Sequence, residues 1–251
     1  MKIAVTGKGG AGKTTIAAGL ALKFKESGKK VIAVDCDPDA NFGIALGFSN
    51  LEEIKPISEL KELIAERTEV ESLDKPATLF KINPRVDDIP DKYCAVKDGI
   101  KLLVMGKVCK AAGGCMCPEN TFVRRLLSHL MLSKDEVVIL DMVAGTEHLG
   151  RATAENVDRA LIVAEPTQLG VSTAKTIERL VKQLGIKKIS FVGNKINDSE
   201  DEKFLKDNLG NEFLGLIHAN QILTKSRGVF KFDELLKKEF DLIFKKLSLE
   251  D

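Results

Sequence analysis

The chain has 251 residues, 44% of them hydrophobic, which is enough apolar material for one large buried core or two small ones. Lysine and arginine number 38 against 37 aspartates and glutamates, and a net charge of +1 offers no overall field to recruit nucleic acid or an anionic membrane. No stretch approaches the roughly 20 apolar residues that span a bilayer, and MKIAVTG has no cationic leader followed by an apolar signal region, so a cytoplasmic protein whose partners are read by a local site is expected.

The first predicted strand, KIAVTG at 2–7, leads into GKGGAGKTT at 7–15 and then into the helical pattern IAAGLALKFKESG. A G-x-x-x-x-G-K-T loop between a strand and a helix is a phosphate cradle. Its glycines let backbone N–H groups approach the phosphates, the helix N-terminus adds favourable partial charge, and Lys13 places a cation at the terminal phosphates. Thr14 is expected to hold Mg²⁺ through its hydroxyl. Gly9, Gly10, Ala11, Gly12, Lys13, Thr14 and Thr15 are therefore the candidate nucleotide-binding residues. A second lysine, Lys8, stands where an ordinary phosphate loop needs none. Together GKGGAGKTT resembles the deviant Walker A loop of the nitrogenase iron-protein and MinD superfamily of dimeric ATPases. That resemblance implies a nucleotide-sandwich homodimer in which Lys8 is catalytic and crosses to the partner's nucleotide.

The next strand, KVIAVD at 30–35, is followed by CDPDAN, which sets Asp35, Asp37 and Asp39 at its end. Carboxylates at the C-terminal end of a strand face the crevice where open α/β sheets bind ligands, and they suit Mg²⁺ or an attacking water. The resemblance implies that Asp37 positions that water; Asp39 is read as solvated. Residues 41–136 form a long elaboration, with a helix predicted over 51–68, strands at 78–83 and 100–105, and a surface loop at 84–99. No glycine-, serine- or proline-rich linker divides it off, so residues 1–251 read as a single domain.

VVILDM at 137–142 supplies a second acidic strand end, with Asp141 in the Walker B position and Gly145 placed to sense a γ-phosphate. ALIVAE at 160–165, KISFVGN at 188–194 and FLGLIH at 213–218 complete a series of near-continuous apolar runs alternating with amphipathic ones. Such a pattern predicts an α/β fold, a doubly wound and mostly parallel sheet flanked by helices on both faces, of the P-loop NTPase kind. Asn194 and Lys195 lie at a strand end. A guanine-reading N-K-x-D would need Asp where Asn197 stands, and Asp198 comes one position late, so ATP and ADP are the expected nucleotides, with Asn194 bonding the base. After Lys231, Phe232, Leu235, Leu236, Phe240, Ile243, Phe244 and Leu247 fall on one stripe of a helix expected to pack on the sheet.

Five cysteines, an odd number, favour free, metal-binding or redox thiols over disulfides in a reducing compartment. Cys36 is expected to pack beneath its strand end, while Cys94 and Cys109 read as auxiliary ligands or spectators. In GGCMCP, a bond between Cys115 and Cys117 would close a strained ring. Pro118 suits the first position of the helix ENTFVRRLL, leaving Cys117 at or beside the N-cap, where the helix dipole stabilises a thiolate. Two thiolates fill half of a tetrahedral site. Cys94 and Cys109 of the same chain could complete it, but Cys115 and Cys117 of a second subunit across a two-fold axis would do so more simply.

GKGGAGKTT, CMCPENTFVRRLL and DMVAGTEHLGRATA together resemble the CooC-type accessory ATPases that mature nickel carbon monoxide dehydrogenase. The resemblance implies ATP-driven nickel delivery to that enzyme, or to acetyl-CoA synthase, with Ni²⁺ or Zn²⁺ held by Cys115 and Cys117 of both subunits. A four-sulfur site suits Zn²⁺ as well, so nickel comes from the resemblance rather than from coordination chemistry. His148 reads either as a coupling residue after the second switch or as a helix cap, and His218 as a structural histidine near the base. The competing classes are a MinD- or ParA-like positioning ATPase, an iron-sulfur scaffold ATPase and a metal-free thiol switch. The charge balance and acidic C-terminal residues offer no DNA face or membrane helix for the first of these.

Overall fold

The computed structural model describes residues 1–37, 39–74, 79–106, 117–130, 135–142, 157–210, 213–225 and 228–249. Strands β1 (Lys2–Gly7) and β2 (Lys30–Asp35) form where the apolar runs predict them, joined by helix α1 (Lys13–Glu26). Two short helices, α2 (Asn41–Ala45) and α3 (Lys61–Thr68), and two 3₁₀ turns at Leu51–Glu53 and Ile57–Glu59 follow. Then come α4 (Ile89–Tyr93), β3 (Ala95–Lys97), β4 (Ile100–Val104), α5 (Pro118–His129) and β5 (Glu136–Asp141). The last part of the chain adds β6 (Arg159–Ala164), α6 (Gln168–Gln183), β7 (Lys188–Ile196), α7 (Ser199–Leu209), β8 (Phe213–His218), α8 (Gln221–Lys225) and α9 (Glu234–Leu249).

The eight strands form one sheet in the order β3-β4-β2-β5-β1-β6-β7-β8. Every neighbouring pair is parallel except β3 with β4. The mostly parallel, doubly wound sheet expected from the sequence is therefore present. Its two faces divide the apolar residues of each strand by alternation. Ile3 and Val5 of β1 join α1 and α9 in one core, whereas Ala4 joins α3, α5, α6 and α7 in the other. Both neighbours along a central strand are buried, which is why these strands read as continuous apolar runs rather than alternating ones.

Three local expectations are corrected. The predicted helix at 51–68 is continuous only from Lys61; Pro56 is extended at φ −59° and ψ 143°, has no N–H to donate, and restricts Lys55 before it. The described part of the run at 78–83 is not a strand, and Leu79 and Ile82 are 87% and 70% exposed. The edge of the sheet beside β4 is occupied instead by β3, inside the stretch 84–99 predicted as loop, which also holds α4. Asp98 and Gly99, with φ of 49° and 82°, close the β3–β4 hairpin, and Asp-Gly is the pair whose tolerance of positive φ makes that two-residue turn.

On α9, Leu236, Phe240, Ile243 and Leu247 are buried against the sheet as predicted, while Leu235, placed on the same stripe from the sequence, is 49% exposed. Phe240 packs edge-on against Phe230 and Phe232, with centroids 5.5 Å away in both cases. It also fills the space above Gly19 of α1, where an added Cβ would lie 2.2 Å from the ring. Helix propensity alone favours Gly19→Ala by about 1 kcal/mol, but overpacking a fixed ring costs about 1–3 kcal/mol. Gly19→Ala is therefore expected to lower stability, measured as a lower urea midpoint at unchanged slope; a raised midpoint would mean that Phe240 yields.

Candidate functional site

The loop from Gly7 to Lys13 leaves the C-terminal end of β1 and turns back into α1 through glycines at positive φ, Gly10 at 77° and Gly12 at 94°. Two of its carbonyls point outward and are bonded there. Asn194 Nδ2 donates to Ala11 O at 2.7 Å and Lys195 Nζ donates to Gly10 O at 2.6 Å. Asn194 is buried, and an added Cβ on Gly12 would lie 2.1 Å from its Nδ2, so only glycine allows β7 to approach so closely. Asn194, read from the sequence as a base contact, thus has its amide nitrogen committed to the phosphate loop. Asp198, late for a guanine motif, caps α7 by accepting from the N–H groups of Glu200 and Asp201 at 2.9 Å each.

At the floor of the loop, Thr14 Oγ1 donates to Asp141 Oδ2 at 2.7 Å. Parallel register pairs Asp35 with Asp141 at the ends of β2 and β5. Asp35 accepts from the N–H groups of Phe42 at 2.8 Å and Asp37 at 3.1 Å, whereas Asp141 Oδ1 is buried without a partner among the described residues. Burial raises both carboxyls, Asp35 to about 6 and Asp141 to about 7, against partial relief from hydrogen bonds. Lys13 is 7% exposed and its ammonium is lowered by the same desolvation, opposed by the charges of Asp141 and Asp37.

These groups fit a hard divalent cation. A buried carboxylate oxygen with no donor, a hydroxyl beside it and raised carboxyl pKa values are the marks of an oxygen set that a positive charge would relieve. Among the described residues there is no group of three or more His, Cys, Asp or Glu that could hold a metal ion. Beside Thr14 and Thr15 opens a cleft of about 250 Å³ bounded by Asn41, Ile44, Ala45, Leu223 and residues 228–230.

Lys8 Nζ lies 2.6 Å from Glu165 Oε1, and Lys195 Nζ lies 3.3 Å from Glu165 Oε2. Hydrogen bonding from Lys8, then from Lys195, holds the Glu165 carboxyl below its ordinary value. Reasoning from sequence missed Glu165 and took ALIVAE only as a strand; a carboxylate at the C-terminal end of a central strand was the available signal. Asp37 is half-buried near Lys13, and Asp39 is exposed.

Cys117 is the N-cap of α5 with Pro118 as its first residue, as the sequence predicts. Cys115, Cys109, Gly145 and His148 lie outside the described residues. Cys36 and Cys94 are half-buried against the core, and burial pushes both thiols up, Cys94 to about 12. His218 ends β8 and is paired through Nδ1 with the buried Glu239 of α9 at 2.6 Å, a structural contact.

The model of the CobQ/CobB/MinD/ParA nucleotide binding domain matches residues 2–228. An uncharacterized ATP-binding protein of Methanocaldococcus jannaschii is 46% identical over 254 residues, 97% of this chain and 96% of its own. The carbon monoxide dehydrogenase accessory protein CooC of Rhodospirillum rubrum is 47% identical over 209 residues, 82% of this chain and 79% of its own. A plasmid partition protein of Borrelia burgdorferi bound to AMPPNP has a TM-score of 0.72 at 17% identity, covering 100% of this chain and 99% of its own. MinD of Aquifex aeolicus has a TM-score of 0.69 at 22% identity over 98% and 97% of the two chains, and at these identities the likeness is one of fold.

The raised carboxyls fix a sign for pH dependence. Native Asp141 binds its proton up to about pH 7 while the unfolded side chain loses it near 4, so its contribution to stability is present in acid and falls as pH rises through that window. Relative to Asp141→Asn, the wild type without divalent cation is expected to lose no more than about 4 kcal/mol between pH 4 and pH 7.5. Urea unfolding at each pH measures the difference, and a flat difference curve would show that Asp141 stays ionised.

Proposed function

The chain belongs to the CobQ/CobB/MinD/ParA nucleotide-binding family, and from that premise we propose that it is an ATP-driven metallochaperone that delivers nickel during maturation of carbon monoxide dehydrogenase or acetyl-CoA synthase. It is a P-loop ATPase. The observation that carries the site assignment is the Thr14–Asp141 bond, which joins the phosphate loop to a buried acidic strand end. The CooC relative, 47% identical, supports the client.

In this reading the backbone of Gly9 to Thr15 cradles the phosphates, and Lys13 takes the terminal ones. Thr14 would hold Mg²⁺ through the hydroxyl that donates to Asp141, and the ion would supply positive charge against the phosphates. Asp37 orients the attacking water. Lys8 crosses to the nucleotide of a second subunit, so that ATP draws two chains together. Cys115 and Cys117 of both subunits then hold one Ni²⁺ or Zn²⁺, and the N-terminal end of α5 favours the Cys117 thiolate. Hydrolysis relaxes the contacts and releases the metal, so nucleotide and metal affinity are reciprocally linked.

Elemental analysis with light scattering, with and without Ni²⁺ and AMPPNP, tests the shared site. One metal per dimer, lost in Cys115→Ala/Cys117→Ala, is the expected result; two metals per dimer or none would remove it. DNA or vesicle binding that requires ATP but no metal would instead favour a positioning ATPase. Lys13→Ala is expected to lower kcat/KM for phosphate release by about a hundredfold or more, the scale on which a cation placed on developing charge acts.

A further inference from the structure

We propose that Glu165 is an ion-pair latch that holds Lys8 on its own chain and so sets the threshold for association with a second copy. The proposal rests on the reading of Lys8 as a residue that reaches across to a partner's nucleotide. One ammonium cannot serve both places, and here it is 2.6 Å from Glu165 Oε1.

The carboxylate is built to stay where it is. Glu165 directly follows β6, its side chain is 12% exposed, and the first turn of α6 packs on it; an added Cβ at Gly170 would lie 2.5 Å from Glu165 O and 3.0 Å from its Cγ. Thr167 fixes that turn by accepting from the Gly170 N–H at 2.9 Å. The cations are the movable members, with Lys8 29% and Lys195 51% exposed.

Glu165 also reads the phosphate loop. Its second oxygen faces Lys195, which is held at φ 62° and donates to Gly10 O. Lys8 leads into the loop and Lys195 bonds to it, so one carboxylate gathers two cations beside the phosphate cradle. A triphosphate entering the loop competes for both lysines with several negative charges against one. Partial burial makes this pair stronger than the exposed ion pairs that contribute little. Charge in the cradle thus becomes the condition for freeing Lys8, and a diphosphate frees it less readily than a triphosphate.

Sedimentation velocity with no nucleotide, Mg-ADP and Mg-AMPPNP tests the latch on wild type, Glu165→Gln and Glu165→Gln/Lys8→Ala, with thermal melting to confirm folding. Glu165→Gln is expected to dimerise about tenfold more tightly than wild type in Mg-ADP, with a smaller gain in Mg-AMPPNP, and the double variant to lose the gain. Lys195→Ala, which leaves the carboxylate to Lys8 alone, is expected to shift association in the opposite direction by less, and it serves if Glu165→Gln does not fold. Equal dimerisation of wild type and Glu165→Gln in every nucleotide overturns the latch while leaving the crossing lysine intact. Weaker dimerisation of Glu165→Gln also overturns it, by making Glu165 a support for the crossing. A wild type that stays monomeric in Mg-AMPPNP overturns the crossing and the latch together.

Discussion

The register between β2 and β5 is the constraint from which the site follows. It places Asp35 and Asp141 side by side at the ends of two central strands, beside a loop two of whose carbonyls are tied to β7. Burial makes both carboxyls hold their protons more tightly than usual, and the charge of Asp35 adds to the effect on Asp141. A site that is uncomfortable with its own charge is prepared for a cation, and a phosphate-bound Mg²⁺ is the form in which such a cation arrives with the substrate.

The rest of the sheet serves that placement. Strands buried on both faces cannot slide by one residue without exchanging their two cores, so the alternation of Ile3, Ala4 and Val5 locks the register that aligns the acids. Each buried aliphatic side chain adds about 1.5–3 kcal/mol to that lock. Gly10, Gly12 and Lys195, all at positive φ, meet at the phosphate loop, where Lys195 donates to Gly10 O.

Most of the central fold was legible in the sequence because parallel strands and a phosphate loop leave strong signals. KIAVTG, KVIAVD and FLGLIH became strands with the predicted bounds, and Pro118 marked the start of α5. The periphery was less legible. TLFKIN has the apolar content of a strand, but the place beside β4 is taken by a three-residue strand closed by Asp98-Gly99. Glu165 was overlooked because its role depends on two lysines 157 and 30 positions away, and no local pattern records such pairings. Asn194 was noticed, but its bond to Ala11 O, 183 positions away, emerges only when β7 closes on the loop.

Lys2, at the start of the central strand β1, buries its ammonium and donates to Leu127 O in the last turn of α5, while burial lowers its pKa to about 8. The same helix carries Cys117 at its other end. Twelve residues make α5 about 18 Å long, so a tilt of about 10° around the Lys2 tether moves the thiol by about 3 Å, more than a metal–sulfur bond length. Mechanically, α5 is a cantilever: fastened to the strand that feeds the phosphate loop, it carries a small rotation at its root to Cys117 at its far end.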